Sequence, residues 1–221
     1  MKNRLGKPVC IGFLLPIRSR KLLQAGLKGC LGGAVMAEPL LIRLFIAALL
    51  PDELTGVLLK SQRLLADSAE RISLTERDQL HLTLRFIGET GEKETAEIVS
   101  WIRSLAVPSP DARRFTQSGY GAFPGREGMT LWAGLNIAPE MRRRVAMMET
   151  ALRSLGCSPE TRPWLPHVTL ARRAELNRPL GGLAPLLPRT PGLMMLGDIV
   201  LFKSEFTPGG MRYTRLAKAG G

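Results

Sequence analysis

Two segments of one pattern constrain this chain more than anything else in it: His81-Leu82-Thr83-Leu84 and His167-Val168-Thr169-Leu170. In each, polar and apolar residues alternate strictly, which is the period of a half-buried β-strand. Side chains at i and i+2 share a face, so each segment turns an imidazole and a hydroxyl one way. Leu82 and Leu84, or Val168 and Leu170, anchor the strand the other way. The 221-residue chain holds two histidines, and both lie in these segments. Any fold for it must supply two such strands, each with an apolar layer behind it.

The surrounding sequence supplies that layer. A strand is predicted over IRLFIAAL, followed by a helix opening at Pro51-Asp52-Glu53, with Leu54, Val57, Leu58, Leu64 and Leu65 near one stripe. A short strand is expected at 71–74, then the first histidine strand. Residues 92–105 place Ile98, Trp101, Ile102 and Leu105 at helical spacing behind an acidic first turn. ARRFTQSGYGAF and MTLWAGL, separated by PGREG, read as a hairpin. A further helix runs from Pro139 to Gly156, followed by the second histidine strand. GDIVLFKSEF and MRYTRL close the chain as a hairpin about TPGG. Helices and strands thus alternate in two passes, each ending in a histidine strand, and hairpin connections argue for α+β with antiparallel sheets.

The net charge of +12 is unevenly spread. Residues 1–35 carry Lys2, Arg4, Lys7, Arg18, Arg20, Lys21 and Lys28 and no acid, so the remainder is only moderately basic. We read 1–35 as a poorly ordered basic extension, or as sequence upstream of a true start at Met36, and 36–221 as a single domain. A basic body suits a polyanionic substrate and equally suits a solubilising surface. Cys10, Cys30 and Cys157 have no paired spacing, which favours a reducing cytoplasm. No apolar run is long enough to span a bilayer. With two distant histidines and no CxxC or HExxH, we expect neither a metal nor another cofactor.

If the two strands face each other across a cleft, two imidazoles meet at one site, each beside a hydroxyl donor. That set suits in-line displacement at phosphorus. One histidine as base deprotonates water, and the other as acid protonates the departing oxygen. The threonine hydroxyls hold the non-bridging oxygens. A single histidine on a half-buried strand is usually structural; its repetition at matching positions is what gives the pattern weight. Arg85 lies on the histidine face by alternation, whereas Arg172 falls on the opposite one. Arg142, Arg143 and Arg144 read as an exposed helix face. Tyr120 and Phe123 are candidates for base stacking or for the core, and Trp132 and Trp164 for packing.

HLTLRFIG and HVTLAR resemble the paired H-x-T-x motifs of the 2H phosphoesterase superfamily, specifically its RNA 2',3'-cyclic phosphodiesterases, often labelled 2'-5' RNA ligases. The resemblance extends over about residues 41–217, through IRLFIAALLP, GYGAFP with TLWAGL, and LFKSEFTPGGMRYTRL. It implies a bilobal, pseudo-twofold fold with two antiparallel sheets flanking a central cleft and helices outside. It also implies hydrolysis of a terminal RNA 2',3'-cyclic phosphate to a 2'-phosphomonoester; we expect the chain to act as a monomer. His81 would match the proton donor to the leaving 3'-oxygen and His167 the water-activating base. Thr83 and Thr169 would bind phosphate, with Arg172 a further contact. The chain departs from the family pattern in REGMT before the Leu131-Trp132 strand, and in lacking an aromatic upstream of the first motif. Both changes bear on substrate preference. Other readings are a phosphodiesterase for a small nucleotide, such as ADP-ribose cyclic phosphate or a 2'-5' oligoadenylate, and a non-catalytic RNA-binding protein.

Overall fold

The computed structural model describes residues 41–221, so the readings of 1–35 and of Met36 lie outside the described residues. The chain runs β1 (Ile42–Leu49), α1 (Asp52–Ala66), β2 (Ala69–Leu74), β3 (His81–Thr90), α2 (Glu92–Ser104), β4 (Arg114–Phe123) and β5 (Met129–Ile137). It continues through α3 (Pro139–Ser154), β6 (His167–Leu176), a short α4 (Leu180–Leu183), β7 (Met194–Met195), β8 (Ile199–Thr207) and β9 (Gly210–Lys218). The α+β class and the expected strands and long helices are present. β7, which pairs with β4, and the short helical turns before it carried no periodic signal long enough to read.

All described pairings are antiparallel, and the strands form one nine-stranded sheet in the order β7-β4-β5-β6-β3-β1-β8-β9, with β2 attached to β6. This corrects the expectation of two separate sheets. One half is built on β6 and the other on β3, and a single ladder pair, Leu82 with Val168, joins them. Both residues are fully buried, so the seam is sealed by the apolar sides of the two histidine strands.

The three long helices cover one face of this sheet. Leu54, Leu58 and Leu65 of α1, Ile98 and Ile102 of α2, and Met141, Met148 and Leu152 of α3 share one core with Leu82, Leu84, Val168 and Leu170. Leu64, expected on the α1 stripe, is instead exposed. On the opposite face lies a smaller cluster of Phe45, Ala47, Val200 and Phe202, with Phe86 and Tyr213 against it. By the same alternation, His81, Thr83, His167 and Thr169 stand on this helix-free face.

Candidate active site

The bridge at Leu82 and Val168 decides how the motifs meet. Continuing that antiparallel register sets His81 opposite Thr169 and Thr83 opposite His167. The His81–Thr83 and His167–Thr169 sets are therefore brought together on one face of the sheet, related by the antiparallel pairing of their strands. The two imidazoles are near enough that the charge of His167 acts on His81.

The two histidines are held alike. His81 Nδ1 is 2.7 Å from the carbonyl of Gln79, and His167 Nδ1 is 2.7 Å from that of Leu165. A carbonyl only accepts, so Nδ1 carries the proton in both rings and Nε2 of the neutral ring is a free base. Nε2 of His81 lies 3.1 Å from the Thr83 hydroxyl. Aromatic rings pack each imidazole on the same face. His81 sits 4.9 Å from Phe45 and 5.6 Å, edge on, from Tyr213. His167 is 5.2 Å from Phe123, also edge on, and 6.0 Å from Trp132. The Trp132 indole lies flat over Gly121, where any Cβ would come within 2.2 Å of it, so glycine is required there.

Burial costs the charged imidazolium its hydration, and this is the main reason both pKa values fall. His81 is pushed down from 6.5 to about 4, against the Gln79 hydrogen bond and with help from the charges of Arg172 and His167. His167 is lowered chiefly by burial and then by Arg172, against its Leu165 bond. Burial raises Tyr213, partly offset by the positive charges of Arg172 and Arg43.

Arg172 thus stands on the histidine face, contrary to strict alternation. The register shows why. Trp132 pairs with Thr169 and Leu131 with Ala171, so Leu170 is a bulged residue with no opposite number. Leu170 and Ala171 both enter the core, and Arg172 returns to the open side. The carbonyl of Leu170 accepts from the Thr75 amide at 2.9 Å and from Gln62 Nε2 at 2.7 Å. Gln62, buried on α1, was not foreseen; a polar residue on the apolar face of a helix was its only trace in the sequence.

β3 carries the matching bulge. Ala47 pairs with Thr83 and Ile46 with Arg85, skipping Leu84. Here the shift takes the arginine away: Arg85 is 7% exposed and bonded to Glu149 of α3, to the Phe86 carbonyl and to the Ser158 carbonyl. The expected places of Arg85 and Arg172 are therefore exchanged by one irregularity used twice. Trp164, expected only to pack, donates from Nε1 to the Thr83 carbonyl at 3.0 Å, with Arg142 5.8 Å above its ring. Tyr120 belongs to the helix side, hydrogen-bonded to Ser61 and the Pro188 carbonyl. Arg143 is exposed, whereas Arg144 is half-buried and pairs with Glu140 at 3.7 Å.

A family model described as the 2'-5' RNA ligase superfamily matches residues 53–205. The chain belongs to this superfamily. Among its relatives, the RNA 2',3'-cyclic phosphodiesterase of Aeropyrum pernix is 36% identical over 66% of this chain and 81% of its own length. That of Thermus thermophilus is 31% identical over 80% of this chain and 89% of its own, and that of Escherichia coli 29% over 83% and 97%. The crystal structure of E. coli LigT complexed with 3'-AMP matches with a TM-score of 0.56 at 26% identity, covering 80% of this chain and 96% of LigT. A crystal structure of a protein from T. thermophilus gives a TM-score of 0.58, also at 26% identity and over 80% and 96%. Among the described residues of this superfamily member, no helix is long and apolar enough to cross a membrane. No cluster of three or more His, Cys, Asp or Glu among them could hold a metal.

Proposed function

We propose that the chain hydrolyses the 2',3'-cyclic phosphate at an RNA terminus to a 2'-phosphomonoester by acid and base catalysis between His81 and His167. The observation that carries this is the pairing of two His-Thr sets about the Leu82–Val168 bridge, in a chain whose relatives are RNA 2',3'-cyclic phosphodiesterases. His167 Nε2 takes a proton from water as the water oxygen attacks phosphorus. The bond from phosphorus to the 3'-oxygen breaks, and His81 gives that oxygen its proton. Thr83, Thr169 and Arg172 bind the non-bridging oxygens, where charge develops. The reaction is metal-independent in this reading, since water activation and leaving-group departure each have a side chain. One chain holds both motifs, so a monomer suffices. Among the described residues Cys157 has no disulfide partner, in keeping with a reducing cytoplasm.

The depressed pKa values set a condition on this mechanism. At neutral pH both imidazoles of the free protein are neutral, yet the acid must be protonated. The phosphate anion between them supplies the charge that favours an imidazolium. Purified protein, with EDTA present, should convert a synthetic RNA bearing a 2',3'-cyclic phosphate to the 2'-phosphate product. His81→Ala and His167→Ala should each lower kcat by about 10²- to 10⁴-fold. Absence of turnover by the intact chain, or full activity in both variants, would refute the proposal.

A further inference from the structure

The acid and base roles fix which wall of the site holds the body of the RNA. In an in-line displacement the attacking water and the departing oxygen lie on opposite sides of phosphorus. If His167 activates water, the 3'-oxygen, its ribose and everything 5' of it lie beside His81.

The β8–β9 hairpin forms part of that side. Gln79, whose carbonyl holds His81 Nδ1, donates from its side-chain amide to the Met211 carbonyl at 2.6 Å. Met211 is paired with Phe206 across the hairpin. Phe206 lies on the same face of β8 as Phe202 and Ser204, four and two residues away, and Phe202 belongs to the apolar cluster on the histidine face. Yet Phe206 is 85% exposed, the most exposed of the large apolar side chains described. Nothing in the packing of the hairpin accounts for it.

The same wall is positively charged. Arg43 lies 4.9 Å over the Phe86 ring and acts on Tyr213. Arg215 is opposite Phe202 and exposed. Among the described residues neither has a carboxylate partner. On the other face of the hairpin, by contrast, Glu205 is paired with both Lys203 and Arg212. An exposed aromatic ring on the same sheet face as arginines without a carboxylate partner is the combination that binds single-stranded nucleic acid, by stacking bases and attracting the backbone.

We infer that Phe206 is a stacking platform for a nucleobase upstream of the reacting terminus, making the β8–β9 hairpin a subsite for polymeric RNA. Through Gln79 and Met211 the ring is on the order of 10–15 Å from His81 by strand spacing, too far for the base of the terminal nucleotide. The inference rests on the proposed reaction and on the assignment of His81 as its acid.

The test compares kcat/KM for a short single-stranded RNA ending in 2',3'-cyclic phosphate with that for a 2',3'-cyclic mononucleotide. Because Phe206 is exposed, Phe206→Ala should fold as the unmodified protein does. The variant should lose roughly five- to a hundredfold on the oligonucleotide and remain within about twofold on the mononucleotide, with Phe206→Trp restoring the oligonucleotide rate. Equal rates for the variant and the unmodified protein on the oligonucleotide would overturn the subsite. So would an equal loss on both substrates, which would mean that the hairpin acts through Gln79 on His81. Failure of the unmodified protein to turn over either substrate would instead sink the proposed reaction.

Discussion

At the scale of the residue, the site depends on how the protein treats two imidazoles. Each has its Nδ1 tied to a carbonyl two residues upstream, and Nε2 of His81 meets the Thr83 hydroxyl. Each is also less basic than an imidazole in water. A kcat/KM profile reports the free enzyme, so its optimum should lie below pH 6.5, while that of kcat, measured with the phosphate bound, should lie higher. Coincident optima would contradict the role given to the anion. Arg172→Ala removes a positive charge that lowers both histidines. It should reduce activity and move the kcat/KM profile toward higher pH; a loss without that movement would place Arg172 outside the site. His81 also couples to stability. Its folded pKa of about 4 is below its unfolded 6.5, so the unfolded chain binds the extra proton. Stability from this group is complete above 6.5 and is lost as pH falls through that window, by at most about 3 kcal/mol. Since the ring is not fully buried, the measured loss should be smaller. Denaturant titrations from pH 7 to 4 should show the loss in the intact protein and a shallower one in His81→Asn.

The next scale is the strand, where one device recurs. A bulge at Leu84 and another at Leu170 each let two consecutive residues enter the core. After the first, Arg85 is drawn to α3; after the second, Arg172 is delivered to the site. A bulge displaces a carbonyl from its ladder, and a buried carbonyl needs a partner. For Leu170 these partners are the Thr75 amide and Gln62. Gln62→Met should therefore cost about 1–3 kcal/mol and lower kcat/KM in the direction of Arg172→Ala. If thermal stability fell while kinetics were unchanged, the bulge would not depend on Gln62. Part of this was legible. Two adjacent small or apolar residues, Leu170-Ala171, break the alternation just before Arg172, whereas Leu84-Arg85-Phe86 gives no such sign.

Across the whole molecule, a single ladder pair joins two halves that must hold two imidazoles in register. Side chains reinforce it from α3 and from the segment between α3 and β6. Trp164 bonds the Thr83 carbonyl, and Arg85 ties β3 to Glu149 and Ser158. Trp164→Phe keeps an aromatic ring and loses the hydrogen bond; it should cost about 1 kcal/mol and reduce kcat more than it alters KM. Arg85→Ala leaves Glu149 without its partner in a half-buried position and should destabilise by on the order of 3 kcal/mol in chemical denaturation. The sequence by itself determined the strands other than β7, that the sheet is antiparallel, and that each motif presents a histidine and a threonine together. These follow from backbone period and turn chemistry, which act over a few residues. Only the tertiary structure decided that the motifs meet at Leu82 and Val168, that the halves form one sheet, and which arginine stands beside the histidines. A bulge forms where distant groups satisfy the displaced carbonyl, and Gln62 and Thr75 reach Leu170 only once the chain has folded.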